Sequence, residues 1–143
     1  MLKHKIISTI LFVILFFVSA SECNAGFNNK VITLATQALE VTSGFDKPII
    51  GGDIKRAEEL YRGYYEIYEN LQKFLQNPPK NIWNEECDCI SFAGSIVNLR
   101  RLVLMDYIIA VEAYQNNQIE QYNQMMNIMY EEWNNANYNT YGF

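Results

Sequence analysis

Residues 88–114 constrain the fold of this chain more than any other stretch. Ile90, Ala93, Ile96, Val97, Val103 and Ile108 are joined there by Phe92, Leu99, Leu102, Met105, Ile109 and Val111. At helical spacing these side chains cover most of a cylinder's circumference, and a helix apolar on most sides is surrounded by others. Arg100, Arg101 and Asp106 in its middle argue against a membrane span. The pattern predicts the central helix of a bundle. The β-branched runs within 96–111 leave a strand as the competing reading.

Helices to surround it can be read on both sides. Val31, Leu34, Ala35, Ala38 and Leu39 form one stripe over 28–42, which Ser43-Gly44 ends. The stretch 45–52 reads as a loop, since Lys47 precedes Pro48 and Gly51-Gly52 free the backbone. Asp53 is a good N-cap for a helix over 53–77, where Ala57, Leu60, Tyr64, Leu71 and Leu75 keep the 3–4 spacing until Pro78-Pro79 stops it. Asn81 caps a short turn through Trp83. Asn116-Asn117 separates the central helix from a last one over 118–134, marked by Ile119, Tyr122, Met126, Met129 and Trp133. Residues 136–143 are polar and Asn-rich, and read as a frayed tail. The expectation is a small antiparallel bundle of about four helices occupying 26–135.

Ahead of it, 1–25 has the form of a secretory signal peptide. Lys3, His4 and Lys5 precede an apolar run from Ile6 to Val18 and a small-residue stretch. The run is shorter than the roughly 20 residues of a spanning helix. Cleavage after Ala20 or after Ala25 fits, and the expected location is the periplasm or outside the cell. Without its leader the chain has no histidine, because His4 is the only one. Ser-His-Asp and Cys-His catalysis and His-ligated zinc are thereby excluded. The whole chain carries 11 basic against 16 acidic residues, and processing removes Lys3 and Lys5. Nucleic acid is a poor match to such an acidic surface; a basic protein partner fits better. No cofactor or metal is expected.

The sequence Asn84-Glu85-Glu86-Cys87-Asp88-Cys89 raises three alternatives. Zinc wants C-x-x-C spacing and four ligands, and three carboxylates within four residues rarely converge on a hard cation. Residues i and i+2 point to opposite sides of a helix or strand, so a Cys87–Cys89 bond would need an irregular turn. In an oxidising compartment a structural disulfide is favoured over redox catalysis, with Cys23, Cys87 and Cys89 as the candidates.

Tyrosine is the other enriched feature. Tyr61, Tyr64, Tyr65 and Tyr68 crowd one helix, and Tyr107, Tyr114, Tyr122 and Tyr130 lie on the later two. Core packing accounts for most of them, but Tyr65 falls off the apolar stripe and should be exposed. Tyr61, Tyr65 and Tyr68, with the acidic Glu85, Glu86 and Asp88, are the candidate interface residues. Asp106, Glu112 and Glu120 are the carboxylates a hydrolase could use. The function expected is that of an exported protein that binds a protein partner, in the manner of an inhibitor or immunity-type protein. A bundle holding a small apolar ligand is the alternative, a carboxylate-only hydrolase the next. A homodimer is also open to such a chain.

Overall fold

The computed structural model describes residues 27–141, with side chains through Tyr138. The expected signal peptide, the expected cleavage sites and Cys23 lie outside the described residues. Within them the chain is all-helical. Four long helices, α1 (Asn29–Thr42), α3 (Ile54–Gln76), α4 (Asn84–Gln115) and α5 (Ile119–Tyr141), are joined by a short one, α2 (Asp46–Gly51).

The caps show why the helices begin and end there. Asn28 Oδ1 accepts from the Lys30 amide at 2.9 Å, and Asp53 Oδ1 accepts from that of Arg56 at 3.0 Å. Each side chain satisfies an amide that its first turn leaves without an intrahelical partner. Past α4, Asn117 takes the left-handed conformation at φ 57°. Its amide donates to Tyr114 O and that of Gln118 to Ala113 O, so the turn into α5 closes on two carbonyls of the last turn.

Contacts between helices fix direction and register. Gly94 of α4 abuts Leu71 and Gln72 of α3, while Met105 and Ile108 lie with Glu58 and Tyr61, so these two helices are antiparallel. Tyr114 and Tyr122 pair their rings at the α4–α5 link, 5.3 Å between centroids, and α5 runs back along α4 from there. Lys30 sits over Phe74 and Val41 meets Gly63, which sets α1 antiparallel to α3. Asn28 meets Glu86 and Thr42 meets Arg100, which sets α1 parallel to α4. The order is up-down-up-down with α4 in the middle. Val31, Leu60, Tyr64, Leu71, Ile90, Val97, Leu104 and Met129 fill the core between them. Each such side chain contributes about 1.5–3 kcal/mol when fully buried.

Four expectations are corrected. Residues 46–51 are helical, because Pro48 falls in the first turn, where no amide is needed, and Phe45 and Pro48 are both buried. The central helix begins at Asn84 rather than at Asp88. The last helix does not fray at 134: Ala136 continues the Met126, Met129, Trp133 spacing and is 1 % exposed, so the helix runs on through Tyr141. Finally, α4 is not covered all round. Leu102, Met105 and Ile109 stay half-buried on a face that no other described helix closes.

Candidate protein-docking surface

Arg100 and Arg101 are adjacent in sequence and turn to different surroundings. Arg100 is 8 % exposed; its Nη1 donates to Thr42 O at 2.7 Å, and its guanidinium lies 5.0 Å from the Phe45 ring centroid. A cation is thus set at the carbonyl end of α1, where the helix dipole favours it. The hydroxyl of Tyr64 is buried next to this group, and burial pushes its pKa well above the ordinary range.

Arg101 faces the α3–α4 seam. Its guanidinium lies 5.6, 5.9 and 6.0 Å from the ring centroids of Tyr68, Tyr65 and Tyr61. Nε and Nη2 also donate to Asn98 Oδ1, at 3.3 and 2.9 Å, which fixes the plane of the group. The three tyrosines come together because α3 presents positions 61, 65 and 68 at i, i+4, i+7 toward one register position of α4. Tyr65 is 47 % exposed, as its place off the stripe predicts, while Tyr61 and Tyr68 are half-buried. Hydrogen bonding to the Tyr65 hydroxyl and to Lys73 holds the Glu69 carboxyl below its usual range, and the same carboxylate raises the pKa of the Tyr65 phenol.

Two hollows follow one another along this seam. One, of about 310 Å³, is lined by Glu58, Tyr61, Arg62, Met105, Ile108 and Ile109. The other, of about 270 Å³, is lined by Tyr65, Tyr68, Glu69, Gln72, Lys73, Gln76 and Arg101. Together they make an open groove with apolar walls at one end and an Arg-Tyr cluster at the other. Its charge is mixed: Arg62, Lys73 and Arg101 stand beside Glu58 and Glu69.

The acidic interface candidates do not join this groove. Glu85 and Asp88 are exposed on the first turns of α4. Glu86 is corrected: it is 2 % exposed, and it accepts the amide of Trp83 at 2.9 Å and, on its other oxygen, the amide of Asn28. It joins the N-terminal ends of α4 and α1, where two helix dipoles favour a carboxylate. Among the described residues the two neighbouring thiols form no disulfide. On a helix two residues are about 200° apart, so Cys87 and Cys89 diverge. Burial, and then the charge of Glu86, pushes the Cys89 thiol up, away from the thiolate that redox catalysis uses.

Among the carboxylates, Glu112 and Glu120 are exposed, whereas Asp106 is buried against α5. There it faces Glu132, a residue that sequence spacing did not single out. Burial raises the Glu132 pKa to about 7, aided by the hydrogen bond to Asp106 and by its charge. The pair lies in the helix interface and lines neither hollow of the α3–α4 groove. Among the described residues no helix is long and apolar enough to cross a membrane. No known protein family, characterised protein or solved structure matches this chain.

Proposed function

We propose that this is an exported helical protein that acts by binding another protein through the α3–α4 groove. The observation that carries the reading is the Arg101 guanidinium set among three tyrosine rings at the mouth of that groove. Arginine and tyrosine dominate the energetic centres of protein interfaces. Both are here held in place before binding, which lowers the ordering cost. The mixed charge of the groove fits a partner surface carrying both signs. The basic partner suited to the chain's overall charge would instead meet Glu85 and Asp88. Export, small size and acidity favour the inhibitor or immunity type as the concrete form.

A small apolar ligand is the second reading, favoured by the hollow beside Met105, Ile108 and Ile109. Ligand sites enclose most of their ligand, and this one is an open groove, so the protein partner ranks first. The test is quantitative capture of an identified partner by the exported chain. Tyr65→Ala or Arg101→Ala should weaken binding by roughly 30-fold or more, the scale of an interface hot spot. Glu85→Gln with Asp88→Asn should leave it unchanged. Unaltered capture by both groove variants would overturn the reading.

A further inference from the structure

We propose that the α3–α4 face takes a second copy of this chain, packed antiparallel about a two-fold axis passing between Tyr65 and Glu66. The inference rests on the reading of this face as a docking surface: the second copy covers it in the free chain, and the protein partner displaces that copy. The argument is the order of charges along the outer edge of α3. Glu58, Arg62, Glu69 and Lys73 follow one another on the edge that borders both hollows. In an antiparallel pair centred between positions 65 and 66, Glu58 falls opposite Lys73 of the second copy, and Arg62 falls opposite its Glu69. Symmetry repeats both pairings, so four opposite-charge contacts form; the exposed Glu66, beside the axis, meets its own copy and is the one like-charge contact of this edge. A parallel pairing of the same edge would set each charge against its own kind. The charges run from position 58 to position 73, about 22 Å of helix, with the exposed Tyr65 ring next to the axis.

Two further features agree with this occupant. An isologous contact must be self-complementary, because the same patch serves both partners. The chain as a whole has a net charge of −5 and would repel its copy. This face, with Arg62, Lys73 and Arg101 against Glu58, Glu66 and Glu69, is balanced, so repulsion is locally relieved there. Within the chain Lys73 already pairs with Glu69 at 3.4 Å, with both side chains largely in water. Docking would extend that pair into a network with Glu58 and Arg62 instead of breaking it. The half-buried Leu102, Met105 and Ile109 on the open side of α4 supply the neighbouring apolar area.

The experiment is sedimentation velocity over a concentration series on the exported chain, with circular dichroism to verify the helices. The wild type should dimerise. Glu58→Lys sets like charges at both symmetric contacts with Lys73 and should raise the dimer Kd by roughly tenfold or more, the scale of two reversed surface pairs. Adding Lys73→Glu restores opposite charges across the axis at the loss of the Lys73–Glu69 pair within the chain, and should restore dimerisation in part. Lys and Glu are comparable helix formers, and Glu58 is half-buried and Lys73 exposed, so these changes leave the helix intact. A monomeric wild type would overturn the two-copy arrangement, as would a dimer that ignores Glu58→Lys or is not rescued by the double change. Either result leaves the docking surface itself to be judged by the capture test on Tyr65 and Arg101, so the two failures are distinguishable.

Discussion

Single side chains hold this bundle together at points where helices exchange unsatisfied backbone groups. Glu86 receives amides from two helix starts, so Glu86→Gln, which removes the charge and an acceptor, should cost about 2 kcal/mol. Glu85→Gln, one residue away and exposed, should change stability by less than about 0.5 kcal/mol. Urea unfolding of the two variants checks this, and equal effects would refute the role given to Glu86. Arg100 is the counterpart at the far end of α1. Arg100→Ala strips a charged donor from the Thr42 carbonyl and packing from Phe45, and should cost about 3 kcal/mol. Arg101→Ala should lower stability by less than about 1 kcal/mol, because its ring contacts lie at the surface. Nothing in the sequence separates these two arginines. Their fates depend on what the other helices bring to each side of α4, and only the register between helices supplies that.

Whole elements show the same division between local and long-range information. α3 is bracketed by an N-cap aspartate and a proline pair, and the body of α4 is marked by its apolar pattern, so both were legible from local chemistry, although the first turn of α4 was not. α2 was hidden behind Pro48 and three glycines, whose usual meaning is a loop; burial of Phe45 against Arg100 turns the segment helical. The end of α5 was hidden by its asparagines, although Ala136 kept the spacing. The tyrosine half of the proposed docking surface stands in the sequence as an i, i+4, i+7 row, whereas Arg101 joins it and the hollows form only once α3 and α4 lie side by side.

Packing of α5 on α4 carries a pH signature. The Glu132 pKa is raised to about 7 by burial and by Asp106. The shift is upward for an acid, so the stability that goes with it is fully present below the unfolded value and fades as pH rises through about 7. The melting temperature should therefore fall between pH 5 and pH 8, and Glu132→Gln should flatten that slope. A slope that survives the substitution would assign it to other groups. The α4–α5 link has its own test. Asn117→Val forces a β-branched side chain into the left-handed region and should cost about 1–2 kcal/mol, while Asn117→Gly should be neutral or slightly stabilising.

At the scale of the whole described chain, four long helices close a core and leave one flank of the central helix partly bare. That flank carries an ordered arginine, a row of tyrosines and balanced charges, within a chain that is otherwise acidic. The account stands on this flank being where another protein docks. Its most direct test is site-specific photo-crosslinking in the native host, with a benzophenone side chain placed at position 65 and, separately, at position 88. Position 65 should give a discrete protein adduct that excess unlabelled chain competes away, and position 88 should give none. An adduct at 88 with nothing at 65 would move the docking surface to the acidic end of α4 and contradict the account.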